Sequence, residues 1–272
     1  MPHLGHPREL AQYVCEPRTI PTDNSQMRAC SEFLAPWFPP CFNERMKRRK
    51  ADLVIEIVSR LESAYGPRQL LPDGDPLSTL IETILSQNTS DLNSGRAFRS
   101  LRTVFPLWED LAAAEPERIS DAIRAGGLGD IKGRRIKEAL QAIKAARGYF
   151  SLDFLNEMPL EEARQWLKEL PGVGDKTAAC VLLFSLGRPA LPVDTHIHRI
   201  SKRLGLIGES ITAEKAHLIL QQLVPPDLVY QFHVLMIDHG RKTCRARNPA
   251  CRECVLADIC PSFGKFANGA LR

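Results

Sequence analysis

Four cysteines crowded into one short segment constrain this chain more than any other feature. Cys244, Cys251, Cys254 and Cys260 are separated by six, two and five residues, so a single loop can fold four thiolates around one centre. The remaining cysteines, Cys15, Cys30, Cys41 and Cys180, are scattered. Clustering of this kind, in a chain with no visible export signal, argues for a metal site over a disulfide framework. Structural zinc and a four-iron cluster both accept four thiolates, and ligand chemistry alone leaves the two open. Arg241, Lys242, Arg245, Arg247 and Arg252 make the loop basic. Such charges either meet phosphates or simply keep the loop solvated.

The chain has 272 residues, 44% of them hydrophobic, which is enough to bury a sizeable core in one large domain or two small ones. Its longest promising apolar stretch, Val181 to Leu186, is far shorter than the roughly 18 residues a membrane span needs. The start, Met1-Pro2-His3, lacks the charged and then apolar pattern of a secretory signal, so a cytoplasmic location is expected, at the nucleoid in a bacterium. A balance of 36 Lys and Arg against 32 Asp and Glu gives a formal charge of +4, compatible with a polyanionic partner without requiring one. A monomer with no membrane association is expected.

Residues 1–46 are rich in proline and show no helical periodicity, which reads as a disordered extension. A basic run follows at Arg45, Lys47, Arg48, Arg49 and Lys50, and Met46 stands where a shorter protein would start. Beyond it, apolar residues recur at helical spacing. Helices are expected near 52–65, 76–88, 91–104, 116–125, 132–147, 160–169, 175–186, 194–204, 212–223 and 227–239, with no strand. The fold class is therefore all-α.

Two sites carry the chemistry. Leu170-Pro171-Gly172-Val173-Gly174 joins the helix ending near Glu169 to the one starting near Asp175. Glycines so close together suggest a tight turn whose bare amides, ahead of a helix N-terminus, can bind a phosphate. A Gly-rich link is also often no more than a turn. Lys176 follows in the first helical turn, where the positive end of the helix dipole disfavours its ammonium form, as a lysine nucleophile needs. The plainer alternative is a surface lysine neutralising a phosphate. Asp194, between Pro192-Val193 and Thr195, suits an N-cap that opens a helix. If the two helices are neighbours, its carboxylate faces Lys176 and stabilises positive charge formed during reaction. His196 and His198 point to different faces of that helix and are expected to be structural or close to DNA, not metal ligands.

Leu170 to Ala178 (LPGVGDKTA), Val193 to Arg199 (VDTHIHR), His239-Gly240-Arg241 and the cysteine spacing together resemble the endonuclease III family of helix-hairpin-helix DNA glycosylases, over residues 50–261. The resemblance implies a two-lobed helical fold. A barrel lobe would occupy about 75–188 and a second lobe 47–74 with 189–243, completing a core over 47–243. A [4Fe–4S] loop at 244–260 would pack on the second lobe, followed by a tail at 261–272. It further implies that Lys176 forms a Schiff base, that Asp194 is the essential aspartate, and that the four cysteines hold the cluster. Gln87, within Leu85-Ser86-Gln87-Asn88-Thr89, would fill the gap left by an extruded nucleotide, and Leu128 would wedge into the opposite strand. Gly172, Val173 and Gly174 would contact the DNA backbone. Outside that family Gln87 reads as a helix C-terminal polar residue and Leu128 as ordinary packing.

The implied activity is a bifunctional glycosylase and abasic-site lyase acting on double-stranded DNA. It would remove oxidised pyrimidines and cleave the strand by β-elimination. A mismatch or alkylated-base glycosylase on the same scaffold is one alternative, and a non-catalytic DNA-binding iron–sulfur redox sensor is another. Two residues depart from the pattern. Asp175 stands where many members carry a basic residue, which weakens the local positive field. Glu82 occupies the position of a catalytic acid in related adenine-mismatch glycosylases, but those lack the lysine, so a buried or helix-face carboxylate is expected there.

Overall fold

A computed structural model describes residues 40–124 and 129–267, with side chains from residue 47 onward. The chain divides into Met1–Arg48, of which only helical residues from Pro40 are described, and Arg49–Arg272. No strand occurs among the described residues, and none of their helices is long and apolar enough to cross a membrane.

Twelve α-helices are described: α1 (Pro40–Tyr65), α2 (Pro76–Ser86), α3 (Asp91–Val104), α4 (Trp108–Ala113), α5 (Pro116–Ala122), α6 (Gly129–Arg147), α7 (Leu160–Lys168), α8 (Asp175–Cys180), α9 (Thr195–Arg203), α10 (Ala213–Leu223), α11 (Val229–Lys242) and α12 (Phe263–Ala267). The helix expected from residue 52 thus begins at Pro40, a residue whose missing N–H and fixed φ suit a first turn. Several starts follow their local chemistry. Asp75 accepts from Ser78 N at 3.0 Å and is followed by Pro76, while Ser90 accepts from Asn93 N and Thr212 from Lys215 N. The short α4 and α12 were not expected. Neither repeats its apolar residues over enough turns to announce itself, and no side chain caps the start of α4.

The segment expected as one helix over 175–186 is two structures. Helix α8 runs to Cys180, and a π turn continues it over Val181–Ser185. Successive residues of this segment face different cores. Val181 and Leu182 are buried with Leu80, Ile84, Ile136 and Leu140 in a core built by α2 to α8. Leu183, one residue on, is buried with Val54, Ile197, Leu220 and Phe232 in a second core built by α1 and α9 to α11, which Leu256 of the cysteine loop also enters. Polar bonds fix the crossing. Ser185 Oγ lies 2.6 Å from Thr79 Oγ1 and donates to Asp75 O, while Gly74 N donates to Ser185 O at 3.2 Å.

Two glycines allow close helix approaches. At Gly240 of α11 a Cβ would meet the His196 ring of α9 at 2.5 Å. At Gly133 of α6 it would sit 2.6 Å from Ser120 Oγ and 3.2 Å from Pro116 O of α5. Ser120 Oγ cannot easily yield, because it bonds both Pro116 O and Gly129 O. Gly133→Ala is therefore expected to cost about 1–3 kcal/mol by overpacking, seen as a lower urea midpoint with an unchanged slope.

Candidate active site

The hairpin between α7 and α8 is held by its apolar residues and an ion-pair network. Leu170 and Val173 are buried in the first core, and Val173 N donates to Leu170 O at 3.1 Å, closing the turn. Gly172 has φ +78°, a left-handed value that favours glycine, and its missing Cβ leaves room for the Arg135 side chain, which would otherwise lie 2.9 Å away. Gly174 differs. Its φ is −105° and nothing lies within 4 Å of where a Cβ would stand, so the fold itself does not demand glycine there.

Asp175, expected to weaken the positive field, has its charge matched locally. Its Oδ1 lies 2.8 Å from Lys168 Nζ and 3.3 Å from Arg164 Nη1. The Arg164 side chain is only 7% exposed and also pairs with Glu161, so this cluster staples α7 to α8. Lys176 stands next to it, exposed, with no ion pair or hydrogen bond to any described residue.

Asp194 caps α9, where its Oδ1 accepts from Ile197 N at 2.8 Å. No group among the described residues bonds Oδ2, which leaves one carboxylate oxygen available. The strand-like link before it is pinned at three points. Gln221 of α10 accepts from Leu191 N and donates to Pro189 O, and buried His233 of α11 donates from Nδ1 to Pro192 O at 2.9 Å. Lys176 and Asp194 do not touch. Yet both act electrostatically on the same two buried groups, Cys180 and His233: Lys176 favours the thiolate and the neutral ring, Asp194 the reverse. Cys180 and His233 thus lie within electrostatic reach of both the lysine and the carboxylate.

Gln87 ends α2 as its C-cap and faces the hairpin. Its Nε2 donates to Gly172 O at 3.1 Å and to Thr177 Oγ1 at 3.4 Å, and its Oε1 accepts from Arg135 Nη1 at 3.1 Å. Buried Lys132 steadies the same corner by donating to Leu85 O at 2.7 Å. Leu128 lies outside the described residues. Glu82 is exposed on α2, not buried. His198 bonds Ile211 O at 2.8 Å, and His196 packs over Gly240 and lies 3.1 Å from Arg199, so both are structural at these contacts.

The four loop cysteines are free of disulfides and line one cavity together with Leu204 and Leu256. No set of three His, Cys, Asp or Glu side chains among the described residues converges to hold a single metal ion. Thiols spread around a cavity suit a multi-iron centre better than one tetrahedral zinc. Burial pushes the Cys254 thiol up to about 11, so its thiolate needs a cationic centre to hold it here. Arg203 supplies positive charge beside them: Nη1 lies 3.2 Å from Cys244 Sγ and bonds Arg245 O, and its guanidinium stacks 4.2 Å from the Phe266 ring. His239, buried at 1% exposure, lies 3.7 Å from Cys254 Sγ, and burial together with the Arg199 charge brings its ring down to about 4.

Arg135, Arg164, Arg203, His233 and Tyr65 escaped the sequence reading because each earns its place through a partner distant in the chain. His239 left one trace, in the motif His239-Gly240-Arg241.

Residues 81–226 match the HhH-GPD superfamily of base excision DNA repair proteins, and residues 244–260 match the iron–sulfur binding domain of endonuclease III. Endonuclease III of Thermotoga maritima is 37% identical over 81% of this chain and 96% of its own. A relative from Arabidopsis thaliana is 38% identical over 70% of this chain and 66% of its own length. Among solved structures, a trapped endonuclease III–DNA covalent intermediate superimposes with a TM-score of 0.67 at 27% identity, covering 79% of this chain and 97% of that one.

Burial lowers His233 to about 4 from an ordinary value near 6.5, with the Pro192 bond and Asp194 opposing. The folded state therefore binds fewer protons than the unfolded chain between those values. Its contribution is complete above about pH 6.5 and falls away as the pH drops towards 4, by on the order of 1–3 kcal/mol. Urea titrations across this window should show that loss, and His233→Gln should flatten it.

Proposed function

Because this chain belongs to the endonuclease III family, within the HhH-GPD superfamily of base excision DNA repair proteins, we propose that it is a bifunctional DNA glycosylase and abasic-site lyase acting on oxidised pyrimidines. As a member it is an enzyme of the DNA glycosylase and lyase class, and its cofactor is a [4Fe–4S] cluster. We assign Cys244, Cys251, Cys254 and Cys260 as the ligands. When bound, the cluster supplies a clasp for the loop and a redox-active centre.

The observation that carries the reading is an unpaired lysine in the first turn of α8 and a half-free carboxylate at the N-cap of α9, both within electrostatic reach of Cys180 and His233. In the proposed reaction the lone pair of Lys176 Nζ attacks C1′ as the bond from C1′ to the base nitrogen breaks. The base leaves with the electron pair and takes up a proton. The free oxygen of Asp194 offsets positive charge developing on the sugar. Ring opening gives the imine. Loss of a proton from C2′ then expels the 3′ phosphate, cutting the strand.

DNA would be held by the hairpin and the helix end beside it. The turn of Gly172, Val173 and Gly174 offers amides to a phosphate, and Gly174 has the open face such an approach requires. Gln87, seated against that turn, would enter the duplex where a nucleotide is extruded.

Borohydride reduction on abasic-site DNA should trap a covalent adduct with the native protein and none with Lys176→Gln. No native adduct, or an undiminished one in the variant, would overturn the mechanism. Asp194→Asn should slow excision by about 100-fold or more. Gly174→Ala should keep the native melting temperature and weaken binding to undamaged duplex by about tenfold, roughly 1.4 kcal/mol. Native affinity in that variant would remove the hairpin from the interface.

A further inference from the structure

A chain of hydrogen bonds runs from the end of α1 to one cluster cysteine. Tyr65 Oη lies 3.0 Å from Thr243 Oγ1 and 3.0 Å from His239 Nδ1, and His239 Nε2 lies 3.7 Å from Cys254 Sγ. Tyr65 is held in turn by Lys242, whose Nζ sits 4.9 Å from the ring centre, and Lys242 pairs with Asp238. None of these contacts involves Lys176 or Asp194.

Ligation fixes the direction of every proton in the chain. A cysteine bound to iron carries no hydrogen, so Nε2 of His239 must be the donor. A neutral imidazole has one N–H, so Nδ1 must accept, and the donor facing it is the Tyr65 hydroxyl. Thr243 is then left to donate to Tyr65 Oη. Cys254 Sγ also accepts from Leu256 N at 3.4 Å, so this sulfur receives two N–H donors. Donors aimed at a ligating sulfur withdraw electron density from it and favour the more reduced state of the cluster.

We propose that His239, oriented by Tyr65, donates a hydrogen bond to Cys254 and raises the reduction potential of the cluster. His239 is the tuning residue and Tyr65 its positioning residue. The inference rests on Cys254 being a cluster ligand and is independent of the lyase chemistry. Removal of the Tyr65 hydroxyl takes away the donor at Nδ1, so the ring is no longer held with Nε2–H aimed at the sulfur and the bond to Cys254 weakens. Packing at the C-terminal end of α1 is thereby coupled to the electronic state of the cluster.

The test is electrochemistry of the cluster-loaded protein, with loading followed by visible absorption. His239→Leu should shift the potential negative, Tyr65→Phe should shift it in the same direction, and His239→Gln, whose amide can still donate, should restore a value near the native one. A native potential in loaded His239→Leu overturns the proposal, as does a His239→Gln shift equal to that of His239→Leu. Should His239→Leu fail to hold its cluster, Tyr65→Phe decides: a native potential there overturns the proposal and a negative shift upholds it. Trapping on abasic-site DNA reports separately on Lys176, so failure of either reading leaves the other standing.

Discussion

The change of burial at the π turn is the constraint from which the rest of the arrangement follows. Leu182 and Leu183 are neighbours in sequence yet are buried in different cores, so the segment lies between the two and not on one surface. One continuous segment is thus shared by both cores, with the hairpin at its N-terminal end and the link to α9 at its C-terminal end. Each residue buried there removes apolar surface from water, about 1.5–3 kcal/mol for a large aliphatic side chain, and neither core can drop the segment without losing that term. Lys176 and Asp194, eighteen positions apart in the numbering, are fixed relative to each other by this sharing.

Polar anchors then set the details that burial leaves loose. The buried Arg164 staples α7 to α8 through Asp175, so the lysine's helix starts at a defined angle. Gln221 and His233 pin the link that presents Asp194, and because each is bonded to backbone atoms the carboxylate is placed by the main chain and not by its own rotamer alone. Preorganisation of this sort is what electrostatic stabilisation of a developing charge requires, since a group already in place has no reorganisation to undergo. The cysteine loop is anchored in a like manner, with Leu256 in the second core and Arg203 beside Cys244.

Much of this was legible in the sequence, for physical reasons that can be named. Asp75, Ser90, Asp194 and Thr212 are short polar side chains directly ahead of apolar periodicity, and each caps the helix it announces. Lys176, Asp194, Gln87 and the cysteines sit in local motifs, so they could be singled out without knowing the fold. Other features could not. The π turn leaves the apolar run of Val181 to Leu186 unchanged, and only the presence of two cores distinguishes it from a buried helix. Arg135 and His233 look like an ordinary helix-surface arginine and an ordinary core histidine until Gln87 and Pro192 arrive from elsewhere in the chain. Asp175 shows the converse. Read alone it opposes the positive field, whereas in the fold its charge is matched by Arg164 and Lys168.

The central claim is that Lys176 and Asp194 act as one unit and not as two independent aids to binding. Single-turnover excision rates for Lys176→Gln, Asp194→Asn and the double variant test it directly, because residues serving the same step lose their effect together. The account predicts a double variant no slower than the slower single one. A double variant slowed by the full product of the two single effects would contradict it.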